Sequence, residues 1–263
     1  MTNILRLCLL LMLATVSASG AADPPPHIVV FLVDDLGWPD TSVPMTAEAT
    51  PLNRRYRTPG MERLAAEGMT WTDASATPIC SPSRISLMTG MNAARHRVTS
   101  WTLHEGRGND RPHPRLEMPE WNVNGLTPDP SVPRAVHAEA LPALLRAAGY
   151  HTIHVGKAHL AAIGTPAADP RAAGFDVNIA GHAAGAPGSH LGVHHFAAGR
   201  RTGSPEKPSV WDVPGLEAYH GQDVTLSEAL TREAIAALRR GVDGGSPVFL
   251  HLSVTRLLGH AGS

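Results

Sequence analysis

Apolar, mostly β-branched side chains run almost without a break through residues 27–33, the pattern of a strand covered on both faces. The run stops at Asp34-Asp35, and Gly37 and Pro39 then break the chain. Thr58-Pro59 opens a helix with proline at its first position, and Gly68 closes it. Residues 69–74 read as a short strand. Ser81-Pro82 starts a second helix that runs to about Met88, with Gly90 just past its end. Residues 104–133, rich in Pro, Gly, Asn and charge, read as a long surface excursion. Periodicity returns with a helix over 139–148, a Gly149 stop, and a strand over 150–155 that leads into Gly156-Lys157-Ala158-His159. Residues 164–222 are rich in Gly, Pro and His and give little periodic signal. Thr225-Leu226-Ser227-Glu228 has the form of a capping box, opening a helix whose apolar face includes Leu226, Leu230, Ala234 and Leu238. Gly241 ends that helix, and residues 248–252 form a final strand.

Strands alternating with helices predict an α/β fold, a mostly parallel central sheet flanked by helices. In such sheets ligands bind beyond the carboxyl ends of the strands. Asp34 and Asp35 lie just past one strand end and Lys157 and His159 just past another. The two pairs are therefore expected on one rim despite their separation in sequence.

Composition narrows the setting. With 263 residues, 43% of them hydrophobic, the chain is long enough for one large core. A formal net charge of −1 gives no electrostatic footprint for nucleic acid or an anionic membrane. The 15 histidines will raise that charge as pH falls through the imidazole range. At the N-terminus, Arg6, an apolar run over 7–16 and small residues over 17–22 fit a cleaved signal peptide at 1–22 and export to the periplasm or beyond. The run is too short for a stable membrane span. Cleavage there removes Cys8 and leaves Cys80 alone, so Cys80 cannot be half of an internal disulfide.

Cys80 stands immediately before the start of the second helix, where unpaired backbone N–H groups favour anions. Arg84 lies about one helical turn on and adds a planar cationic fork. Asp34 and Asp35 supply hard oxygen ligands suited to Ca²⁺ or Mg²⁺. Each feature has a plainer reading: a packed cysteine, a turn-forming Asp pair, a helix-to-loop boundary at Gly156-Lys157. Their joint placement on one rim favours a metal-assisted pocket for a tetrahedral oxyanion.

The run Cys80-Ser81-Pro82-Ser83-Arg84 resembles the modification signature of the type I sulfatases, of the alkaline-phosphatase-like superfamily. Thr89-Gly90 follows it as in that family, Asp34-Asp35 resembles the family's paired metal ligands, and Gly156-Lys157-Ala158-His159-Leu160 resembles its second signature. The elements occur in the family's order from about His27 to Leu252. The resemblance implies that a formylglycine-generating enzyme converts Cys80 to formylglycine, and that its hydrate attacks the sulfur of a sulfate ester, with a sulfated carbohydrate as the expected substrate. It implies Ca²⁺ held by Asp34, Asp35 and the modified Cys80. It also implies Arg84 holding the hydrate, and Lys157 and His159 binding sulfate oxygens. Related enzymes of the superfamily use the same modified cysteine on phosphonate or phosphate monoesters, and a non-catalytic binder of sulfated glycans is the alternative outside enzymes.

Two departures from the family pattern stand out. Ala158 replaces a large aromatic between the lysine and the histidine, which opens one wall of the pocket. Beyond the last strand, His260 does not fall at the family's spacing, and the family's further Asp-Asn metal pair, lysine and C-terminal domain do not follow. Residues 23–263 are thus expected to be an incomplete N-terminal catalytic domain, its sheet exposing an apolar edge, inactive as it stands.

Overall fold

The protein is described by a computed structural model over residues 23–109, 113–117, 120–205 and 207–255. The expected signal peptide at 1–22 and His260 lie outside the described residues.

The apolar run forms β1 (Ile28–Asp34). After it come α1 (Pro51–Arg55), α2 (Pro59–Glu67), α3 (Cys80–Thr89) and α4 (Ala93–His96). A two-residue pair, β2 (Leu126–Thr127) and β3 (Val136–His137), precedes α5 (Leu141–Ala147) and β4 (His151–Gly156). The chain then forms β5 (Val177–Ile179), α6 (Ala198–Arg201), α7 (Leu226–Asp243) and β6 (Val248–Thr255). The main sheet has the order β1-β6-β4-β5, every pair parallel, as the α/β reading requires. Parallel pairing places all the carboxyl ends on one rim, and Asp34 and Gly156 are the last residues of β1 and β4 there.

Alternation along the strands divides the core into two layers. Val248, Leu250 and Val254 of β6 and Ile153 and Val155 of β4 meet Leu226, Leu230, Ala234 and Ala237 of α7. On the opposite face Phe249 and Phe175 meet Ile85 and Met88 of α3 and Leu126 of β2. Each large side chain buried in these layers contributes about 1.5–3 kcal/mol. The α7 layer reaches β1 only at Val33, and Val29 and Phe31 are about half exposed, so β1 is not covered on both faces as its apolar run predicts.

The helix ends follow local chemistry. Gly90 caps α3 in the left-handed conformation with φ of 68°. At α7 the Thr225 side chain accepts from the Glu228 amide, one half of the expected capping box. Gly241 does not end α7, which runs to Asp243. A Cβ at Gly241 would lie 2.9 Å from Val248, so this glycine serves the approach of helix to sheet.

Other expectations also need correction. Residues 69–74 are exposed and form no strand, because no neighbouring strand pairs with them and propensity alone supplies no ladder. The excursion at 104–133 is not all surface: residues 123–127 are buried, and Leu126 lies in the core. The region 164–222 hides β5, too short for a periodic signal and held by its ladder to β4.

Candidate active site at the carboxyl rim of the sheet

Asp34 is the hub of the rim. Its Oδ2 accepts from Lys157 Nζ, and its Oδ1 lies 3.4 Å from Arg84 Nη2. Burial opposes the charge on Asp34, yet the Arg84 and Lys157 cations outweigh it and hold the carboxyl below its usual range. Arg84 is 1% exposed on the inward face of α3. Its Nη1 donates to the Lys157 carbonyl at 2.7 Å and to Ser253 Oγ at 2.8 Å. Burial lowers the guanidinium's pKa, with Asp34 opposing that shift. The long reach of arginine from α3 thus joins the ends of β1, β4 and β6.

Cys80 is the first residue of α3, one turn before Arg84, and is half-buried with a free thiol. The residue before it, Ile79, adopts φ of 70°. For a β-branched side chain this is a strained conformation, costing about 1–3 kcal/mol. Asp35 also has positive φ, 59°, which turns the chain sharply at the end of β1 and leaves its carboxylate exposed.

His159 is placed differently from Lys157. Its Nε2 lies 2.8 Å from the Thr102 carbonyl, which can only accept, so Nε2 carries the proton. Its Nδ1 is buried without a hydrogen-bond partner among the described residues. Burial, reinforced by Lys157, lowers its pKa to about 3, so the ring is neutral and its single proton is held by the Thr102 carbonyl. Thr102 is in turn tied to α3: its amide donates to Ser81 Oγ at 3.1 Å. The structure therefore brings Asp34, Arg84 and Lys157 into direct contact, sets Cys80 at the adjoining helix start, and turns His159 toward the Thr102 loop.

Ser253 and Thr102 are partners that motif reading misses. The signal for Ser253 was its strand: in β6 the polar His251 and Ser253 recur at every second position within an apolar run. Asp34 and Asp35 offer carboxylate oxygens of the kind a hard divalent cation takes. However, no group of three or more His, Cys, Asp or Glu side chains placed to hold a metal occurs among the described residues. That includes the histidines at 182, 190, 194 and 195. A Ca²⁺ shell of about six to eight oxygens is therefore not provided by these residues alone. No helix among the described residues is long and apolar enough to cross a membrane.

Comparison with known proteins places the chain. The sulfatase family model matches residues 26–255. N-acetylgalactosamine-6-sulfatase of Canis lupus familiaris is 30% identical over 258 residues, covering 95% of this chain and 42% of that protein. The Homo sapiens enzyme of the same name is 35% identical over 246 residues, covering 90% of this chain and 40% of its own length. The crystal structure of the PsFucS1 sulfatase from Pseudoalteromonas sp. shares the fold at a TM-score of 0.53 and 21% identity, covering 90% of this chain and 45% of that one. The chain thus spans about two fifths of the length of the curated relatives named here. With the family match running through nearly all of the described residues, this chain belongs to the sulfatase family.

Proposed function

We propose that the chain carries the nucleophile-bearing part of a sulfuric ester hydrolase acting through a formylglycine made from Cys80. The observation that carries this reading is Cys80 at the first position of α3 in Cys80-Ser81-Pro82-Ser83-Arg84, beside the joined Asp34, Arg84 and Lys157. A thiol suits the chemistry poorly, because the sulfo group must leave again. A hydrated aldehyde offers two hydroxyls on one carbon. One hydroxyl attacks sulfur and the alcohol departs; the second then loses its proton, the carbonyl re-forms and sulfate is expelled.

In this reading Lys157 is the cation that meets sulfate oxygens and the charge developing on them. Arg84, whose Nη1 bonds are spent on the Lys157 carbonyl and Ser253, holds the frame around the hydrate. Asp34 and Asp35 are proposed as ligands of a divalent cation, Ca²⁺ by family likeness. The described residues fall short of a full shell, so such a cation would need further oxygen ligands. His159 can serve an anion only if its ring turns or gains a second proton. The names of the curated relatives support a sulfated carbohydrate as substrate, and the leader-like residues 1–22 support export.

Co-expression with a formylglycine-generating enzyme, followed by mass spectrometry of the Cys80 peptide, tests the reading. The expected product has lost sulfur and gained an aldehyde oxygen, whereas an unmodified thiol overturns the proposal and favours a glycan-binding role. Parallel assays on aryl sulfate and aryl phosphonate esters, with a protein in which the family's C-terminal part is restored and Cys80→Ala as the control, then distinguish the two ester classes.

A further inference from the structure

The parallel register of β4 and β6 sets His154 directly against His251. Both rings are buried on the α3 side of the sheet, at 0% and 2% exposure, with Phe175 packed against each. His154 Nε2 lies 2.9 Å from the Gly156 carbonyl oxygen, and the two Nδ1 atoms lie 3.0 Å apart. A carbonyl only accepts, so His154 Nε2 must donate. A neutral imidazole has one proton, so His154 Nδ1 is a lone pair and His251 Nδ1 donates to it. His251 Nε2 is then a lone pair, and it has no hydrogen-bond partner among the described residues. Neutrality follows from burial, which lowers both pKa values, His154 to about 4 and His251 well below its ordinary value. The charged groups acting on the pair are Arg84 from α3, which opposes any further positive charge on either ring, and Asp169 from the turn before β5.

The end of this donor chain is mechanically placed. The peptide between Gly156 and Lys157 is pinned at both polar ends: its oxygen by His154 Nε2, and its N–H by the Ser253 carbonyl at 3.1 Å. Gly156 itself has φ of 93°, and a Cβ there would lie 2.0 Å from the Ser253 oxygen, so this peptide leaves the sheet at an angle that only glycine permits. The orientation of this peptide plane sets the direction in which Lys157 departs toward Asp34. We infer that His154 and His251 are positioning residues for Lys157, a two-ring donor chain of fixed polarity that locks the Gly156–Lys157 peptide. His251 keeps the His154 ring from flipping, and His154 satisfies a carbonyl that an apolar residue would leave buried and unpaired. The functional meaning of this device rests on Lys157 being the anion-binding cation of the site proposed above; its geometry does not.

Nitrogen-15 NMR of the imidazoles in the full chain is the direct test. At neutral pH His154 is expected to carry its proton on Nε2 and His251 on Nδ1, with a coupling between the two Nδ1 nuclei across the hydrogen bond. His154→Leu is expected to raise amide exchange at Lys157 roughly tenfold or more by freeing the peptide, and to move the Lys157 ammonium resonance. In His154→Gln the terminal amide nitrogen reaches the place of Nε2, so that variant is expected to restore both signals. A role in packing alone would lower the melting temperature of His154→Leu and leave the Lys157 signals unmoved, which overturns the inference. The opposite tautomers in the wild-type chain overturn it too, and that measurement needs no variant to fold. An unmodified Cys80 thiol after co-expression with a formylglycine-generating enzyme, with these tautomers and the Lys157 response in place, would count against the proposed function and leave the positioning role standing.

Discussion

Acidification from neutrality to about pH 4.5 should destabilise this protein through its buried histidines well before its carboxylates respond. His154 and His159 have folded-state pKa values of about 4 and about 3, both set chiefly by burial. In the unfolded chain each would titrate near the ordinary value of about 6.5. As pH falls below that value the unfolded chain takes up protons that the folded chain refuses, so stability is full above about pH 6.5 and is lost as pH drops toward the folded values. Each ring then costs about 1.4 kcal/mol per pH unit in that window. At about pH 4.5 this amounts to about 2.5 kcal/mol for each, or about 5 kcal/mol together, and His251 adds in the same direction. Domains of this kind have about 5–15 kcal/mol in total, so the loss reaches the scale of the whole. Urea titrations followed by tryptophan fluorescence at several pH values would measure it. Stability that stays flat between about pH 6.5 and 4.5 would refute the burial argument for these rings. Asp34, held below the usual carboxylate range, contributes its own loss only at lower pH.

Five substitutions test the packing and the rim. Gly156→Ala forces a Cβ into the Ser253 carbonyl at a left-handed backbone position, and should lower stability by at least about 2 kcal/mol in denaturant melts. Arg84→Lys cannot reproduce the guanidinium fork to Asp34, the Lys157 carbonyl and Ser253; a loss of about 2–3 kcal/mol is expected, against about 1 kcal/mol for Ser253→Ala. On β1, Phe31→Thr on the uncovered face should change stability by less than about 1 kcal/mol. Phe249→Ala, one strand away in the closed layer, should cost about 3–5 kcal/mol by the same melts.

The parts of this fold legible from sequence are those written in continuous local pattern. The β1 run, the 3.6-residue stripe of α7 and the proline start of α2 each encode their element within a dozen residues. Asp34 and Lys157 were placed on one rim because parallel sheets gather strand ends, and their contact bears this geometry out. What escaped depends on partners. β5 exists through its ladder to β4, while residues 69–74, with comparable propensity, have no ladder and form no strand. Gly241 looked like a helix stop because its role lies across the interface, in the approach of Val248. His159 matched its motif, yet its orientation is decided by the carbonyl of Thr102, far away in sequence. The His154–His251 pair is invisible until the β4–β6 register is known, since neither strand alone marks its histidine as paired.

The strand order carries a consequence for how the protein comes to be folded. Among the described residues β1 pairs with β6 alone, from Ile28↔Phe249 to Asp34↔Thr255. A chain emerging from its N-terminus therefore presents its most apolar strand long before the partner exists to receive it. Such non-local pairing raises contact order and slows folding. It also leaves β1 exposed to aggregation or chaperone capture until residues 248–255 have been made. Asp34, at the end of that waiting strand, meets Lys157 at the end of β4 across β6, so the charged rim joins residues that only the later strand brings side by side.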